Sequence, residues 1–291
     1  MLYRIRHYTE YNYEEPVSIC YNRLCLTPLN LPQHECISSE INIVPTPHEL
    51  TFREDFFGNQ LSFFSINREH KRLRINTNSV VRVENRTNSE KAYHSNVLWK
   101  DVRTLIRLEP DNETITQYMI PSHYIHYSDV VKEFCKDCFT EDSTLWSACN
   151  SLMKKIYSTF EFKPGYTTVN TPVETVIKIK KGVCQDLAHL MIACFRNMQI
   201  PAQYVSGYIE TLPAPGKERL VGADASHAWV AVFFPGVGWV EFDPTNNLVP
   251  SHQHIIVAFG RDYLDVAPIK GIVFSSGKQK LTVRVDVERM P

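Results

Sequence analysis

The spacing of apolar residues changes period twice along the chain, and this change constrains the fold more than any other feature. Near the start, Tyr3, Ile5 and His7 alternate with Arg4 and Arg6. Ile41 and Ile43 alternate with Glu40 and Asn42. Leu73, Ile75 and Thr77 alternate with charged or amide residues, and Val81 and Val83 follow. Period two belongs to strands with one buried face. Turns fall at Pro45-Thr46-Pro47 and Gly58-Asn59. Residues 1–88 therefore read as an N-terminal β-sandwich-like domain. The wholly polar run from Glu84 to Lys91 marks its boundary.

Beyond it the period lengthens to 3.6. Val130, Val131, Phe134, Cys135 and Cys138 form one stripe. Leu145, Trp146, Cys149, Leu152, Met153, Ile156 and Tyr157 form a second. A third helix follows Lys180-Lys181-Gly182, with Val183, Leu187, Leu190, Met191, Cys194 and Met198 on one side, and stops before Pro201. Strands then return at Gln203–Glu210, His227–Phe234, Trp239–Phe242 and Lys280–Val287. Helices followed by antiparallel strands make the fold α+β, with residues 89–291, C-terminal strands included, as a second domain.

A chain of 291 residues accommodates two domains. Its formal net charge of −1 leaves no basic footprint for nucleic acid or an anionic membrane. No apolar run reaches the length of a membrane span, and Met1–His7 lacks the apolar core of a signal peptide. The expected location is the cytoplasm. There the eight cysteines should be free thiols.

Which thiol reacts is decided by neighbours. Cys135 and Cys138 form a C-x-x-C, but both lie on an apolar stripe without a second ligand pair, so they read as buried thiols. Cys149 and Cys194 also lie in stripes. Cys20, Cys25 and Cys36 have no adjacent base. Cys184 opens a helix, where free N–H groups and the helix dipole favour a thiolate. His189 lies roughly 140° around that helix, and Asp186 about 200°, so neither shares the thiol's face. The base must come from another element.

Ser226 to Thr245 supplies it as a hairpin turning at Pro235-Gly236-Val237-Gly238. A loop of three or five residues puts His227 and Asp243 on one face as diagonal neighbours, and a loop of four separates them. Nucleophile, base and orienting carboxylate are the parts of a thiol acyl-transfer site. For an oxyanion hole the backbone N–H of Cys184 is one candidate. A second donor would come from Gln185, Trp229 or the Tyr166-Thr167-Thr168 loop. Trp229 also suits an apolar wall of the acyl pocket.

These residues resemble the transglutaminase-like superfamily of papain-type thiol enzymes. The matching pieces are Gly182-Val183-Cys184-Gln185-Asp186, Ile200 to Tyr208, Ser226-His227-Ala228-Trp229 and Gly238 to Asn246. They keep order and spacing over about 65 residues. The β region, and the tail from Gly260-Arg261-Asp262-Tyr263 to Pro268-Ile269-Lys270-Gly271, resemble a bacterial branch whose members are described as candidate cysteine proteases. The resemblance implies a Cys184–His227–Asp243 triad, with the cysteine helix packed on an antiparallel sheet. It implies no single reaction. Hydrolysis of a peptide or protein amide, transfer of a glutamine acyl group to an amine, and a non-catalytic binding module are the three readings. Hydrolysis is the expectation, with neither metal nor cofactor required. Oligomeric state is left open.

Overall fold

The computed structural model describes residues 1–210 and 226–291. Six strands come first: β1 (Leu2–Val17), β2 (Cys20–Leu24), β3 (His34–Val44), β4 (Glu49–Glu54), β5 (Gln60–Ile66) and β6 (His70–Val83). In β1, Tyr3, Ile5, His7, Thr9, Tyr13 and Val17 are buried, the expected period of two. Three short helices follow, α1 (Asn88–Tyr93), α2 (Val102–Ile106) and α3 (Asn112–Thr116), which the sequence periodicity does not show. Next are α4 (Asp129–Cys135) and α5 (Leu145–Thr159) on the two expected stripes. Val130 and Tyr157 leave those stripes for solvent.

The pair β7 (Glu161–Phe162) and β8 (Lys181–Gly182) brackets α6 (Val173–Ile179). Then come α7 (Cys184–Asn197), β9 (Ala202–Ile209), β10 (Ser226–Phe234), β11 (Gly238–Phe242) and β12 (His254–Gly260). The chain closes with α8 (Tyr263–Val266), β13 (Ile269–Val273) and β14 (Gln279–Met290).

The α+β class holds, but the strands are not divided as expected. One antiparallel sheet has the order β14-β1-β6-β3 and another β13-β2-β5-β4. The last two strands of the chain thus belong to the N-terminal sheets, not to the domain of residues 89–291. β14 pairs with β1 from Leu2↔Met290 to Tyr13↔Gln279. The reason lies in β1, a long strand with two sides to pair, of which β6 fills only one. Between these sheets Tyr13, Val17, Cys20, Leu24, Phe64, Ile66, Leu73 and Ile75 form one core. At the other end of the strands, Tyr3, Ile5, Val81, Val83, Val285 and Val287 join the core of the helical half. The boundary at residue 88 is therefore one of chain order rather than of packing.

The third sheet, β11-β10-β9-β12, positions the site. α7 packs against β9 and β10 of this sheet and against α4, α5 and α6. Every residue from Asp186 to Arg196 is buried, so α7 is a central helix rather than one with a single apolar stripe. Arg196, buried within it, donates to the carbonyls of Tyr118, Ala202 and Arg261 and to Ser122 Oγ. Those bonds satisfy a guanidinium that burial would otherwise leave costly.

Candidate active site

Cys184 is the first residue of α7, half-buried against the core. Two features fix this helix start. The Asp186 carboxylate accepts the Val183 N–H at 2.8 Å and the Thr167 hydroxyl at 2.7 Å, tying the preceding loop to the first turn. At Gly182 an added Cβ would lie 2.9 Å from Asp186 Cβ, so only glycine permits that approach. The N–H groups of Asp186 and Leu187 turn back to Val183 O. Those of Cys184 and Gln185 have no acceptor among the described residues. The thiol therefore stands beside free donors at the positive end of a long buried helix.

The hairpin register is Phe234↔Gly238 and Phe233↔Trp239, one of those that bring His227 and Asp243 together. His227 Nε2 lies 2.7 Å from Asp243 Oδ2, and the Cys184 thiol is a further partner of the ring. Burial opposes a charged imidazole. The Asp243 bond, and next the thiol, outweigh it and push His227 up to about 10. Burial likewise opposes the Asp243 carboxylate, but His227 and His254 hold it well below the usual carboxylate range. Oδ1 accepts the backbone N–H groups of Thr245 and Asn246, at 2.9 and 3.2 Å. The ring is thus held between a fixed carboxylate and the thiol, which places a base and its orienting group beside a nucleophile.

The expected oxyanion donors are mostly committed elsewhere. Trp229 is fully buried, its ring stacked on His227 at 5.8 Å and 27°, and its N–H donates to Glu241. That fits the wall rather than the donor. The Thr167 hydroxyl is spent on Asp186. Tyr166 is exposed, its ring covered by the Lys181 and Lys163 ammonium groups at 4.5 and 5.1 Å. Gln185 is half-buried and, among the described residues, its amide reaches Val169 O at 3.5 Å. Of the four side chains, Gln185 has its amide least engaged. His189, set aside as the base because it does not share the thiol's face, accepts the Tyr263 N–H at 3.1 Å and stacks on Tyr124.

Two residues here were missed by sequence reasoning. Asn246 Nδ2 lies 2.7 Å from Asp243 Oδ2 and 3.3 Å from His227 Nε2. His254 Nε2 lies 3.0 Å from the same Oδ2, with the residue fully buried. The available signal was the continuous apolar run His254-Ile255-Ile256-Val257-Ala258-Phe259, which forms β12. No metal ligand set was expected. The ligand atoms of His227, Asp243 and His254 do lie within 4.8 Å of one another and could hold an ion. Their 2.7 and 3.0 Å separations are those of hydrogen bonds.

Comparison with known proteins shows the family and the fold. The transglutaminase-like superfamily matches residues 132–244, and the bacterial transglutaminase-like N-terminal region matches residues 3–82. An uncharacterized protein of Mycobacterium tuberculosis is 34% identical over 290 residues, 98% of this chain and 92% of its own length. The chain belongs to the transglutaminase-like superfamily. A solved structure of a candidate cysteine protease from Cytophaga hutchinsonii shares this superfamily member's fold, with a TM-score of 0.77 and 21% identity over 99% of this chain and 90% of that one. A protein-glutamine gamma-glutamyltransferase of Pseudomonas aeruginosa is 33% identical over 116 residues, 38% of this chain but 17% of its own.

Proposed function

We propose that this transglutaminase-like chain hydrolyses amide bonds of peptides or proteins through Cys184, His227 and Asp243. The observation that carries the reading is the thiol at the start of α7 facing an imidazole fixed by a buried carboxylate. The Cys184 thiolate adds to the amide carbonyl, and the oxyanion forms over the free N–H groups of Cys184 and Gln185. The C–N bond breaks as His227 gives its proton to the leaving amine. Water then attacks the thioester, His227 takes its proton, and the acid leaves with the thiol restored. The free cysteines suit a reducing cytoplasm.

The Pseudomonas relative supports a second reading, in which an amine replaces water and receives a glutamine acyl group. A panel of peptide amides and glutamine peptides, with and without a primary amine, separates the two. Hydrolysis predicts release of acid that added amine barely reduces. Acyl transfer predicts amine incorporation at the expense of acid. If no substrate acylates Cys184, as read by intact mass, both readings fail.

A further inference from the structure

Two imidazoles meet one carboxylate oxygen in this site, and only one of them faces the thiol. His227 and His254 approach Asp243 Oδ2 at 2.7 and 3.0 Å, with their ring centroids 5.9 Å apart. His254 comes from β12, at the far edge of the sheet from β11, and lies beyond the matched superfamily segment of residues 132–244. Its ring packs edge-on to Trp229 at 5.0 Å and 78°.

The state of His254 follows from what surrounds it. Nδ1 is buried and has no partner among the described residues. In the neutral ring that donates from Nε2, the cost is one unpaired lone pair. In the cation it would be a buried, charged N–H without an acceptor, which costs far more. The charged groups facing the ring are Asp243 from the turn after β11, His227 from β10, and Arg86 from the segment before α1. Arg86 donates to the His254 carbonyl at 2.7 Å and pairs with Glu241 of β11. Two of the three are cationic, which also favours a neutral ring.

We propose that His254 is a positioning residue: a neutral Nε2–H donor that shares Asp243 Oδ2 with His227 and limits how tightly His227 holds its proton. A donor on a carboxylate is worth most when that carboxylate has no cation beside it. It therefore stabilises the state with neutral His227 more than the state with the imidazolium. His227 must release its proton to a leaving amine, and an Asp243 Oδ2 shared with the Asn246 amide but not with His254 would hold that proton more tightly. The consequence for turnover rests on the thiol-enzyme reading. The effect on His227 does not.

The test uses full-length protein labelled with ¹⁵N-histidine. In the wild type, His254 should carry a proton on Nε2 alone at pH 7, and His227 should be doubly protonated. His254→Phe keeps a ring against Trp229 but removes the donor. It should move the His227 Nε2–H resonance downfield and raise the ring's titration point by about half a pH unit to one unit, up to roughly tenfold in proton affinity. His254→Gln, which restores an amide donor, should stay near the wild-type values. If His254 served only to brace Asp243, its loss would loosen the His227 bond and lower the titration point. That result, an unchanged His227 in folded His254→Phe, or a doubly protonated wild-type His254 would each overturn the proposal. Should His254→Phe not fold, the wild-type tautomer and the Gln variant decide. Alkylation of Cys184 by iodoacetamide, run in parallel, reads the thiol-enzyme proposal separately. An inert Cys184 with the expected histidine shifts would sink that proposal and leave this one standing.

Discussion

At the residue scale the site depends on one charge and one missing side chain. Asp243→Asn keeps the Oδ1 contacts to the Thr245 and Asn246 N–H groups but removes the charge that favours the imidazolium. We expect amide turnover to fall roughly 10²–10⁴-fold, with alkylation of Cys184 at pH 7 slowed as well. Among the thiols, burial raises Cys25 to about 12 and Cys138 to about 11, and raises Cys20, Cys36, Cys149 and Cys194 as well. Cys135 is lowered by its contact with Cys194, but it is fully buried. Partial alkylation read by peptide mass spectrometry should therefore find Cys184 first. The missing side chain is at Gly207, which pairs with both His227 and Ile256. An added Cβ there would lie 2.0 Å from Ile255 O and 2.7 Å from Trp229 Cη2. Gly207→Ala should cost about 1–3 kcal/mol or more by urea denaturation, because backbone cannot yield as a side chain does.

At the element scale, the hairpin β10–β11 holds His227 and Asp243, and Arg86 braces it from outside. Arg86 joins Glu241 of β11 to the carbonyl of His254, while Glu241 also accepts the Trp229 N–H. Both members of the ion pair are nearly buried, with side-chain exposures of 12 and 13%. Arg86→Met should destabilise the fold by about 3–5 kcal/mol, since it strands a buried carboxylate. Adding Glu241→Gln should recover much of that loss while still serving the Trp229 N–H. A double-mutant cycle by chemical denaturation measures the coupling, and strictly additive losses would contradict it.

For the whole molecule, the shared core and the β1–β14 ladder join the first and last strands to the helical half. Unfolding should show one calorimetric transition rather than two. Its pH dependence has a definite sign. Burial lowers His7, His34 and His189 to about 4, and lowers His254 too. The unfolded chain therefore takes up these protons first, and stability falls as pH drops below about 6.5. His227 acts oppositely. Its raised value contributes fully below about 6.5 and is lost as pH climbs toward 10. Each group contributes a slope of about 1.4 kcal/mol per pH unit within its window. The denaturation midpoint should therefore peak near neutrality and fall on both sides. A peak near pH 5 would show that the buried histidines are not neutral in the fold.

What the sequence by itself determined is local. Alternation in β1 and β6, the stripe of α5, the start of α7 at Cys184 and the even spacing of His227 and Asp243 are all written within short stretches of chain. Each is governed by a period or a turn that nearby residues set. The tertiary structure decided what depends on which elements meet. Pairing of β14 with β1 joins residues hundreds of positions apart, and no short-range pattern in either strand names its partner. Burial of α7 on all sides follows from its neighbours, since an amphipathic stripe specifies only one of them. The loss of Trp229 and Thr167 as free donors came from Glu241 and Asp186, side chains that only the fold brings within reach. His254 was hidden for the same reason. An apolar run signals a buried strand, but only the sheet order carries the histidine at its start to the far side of Asp243.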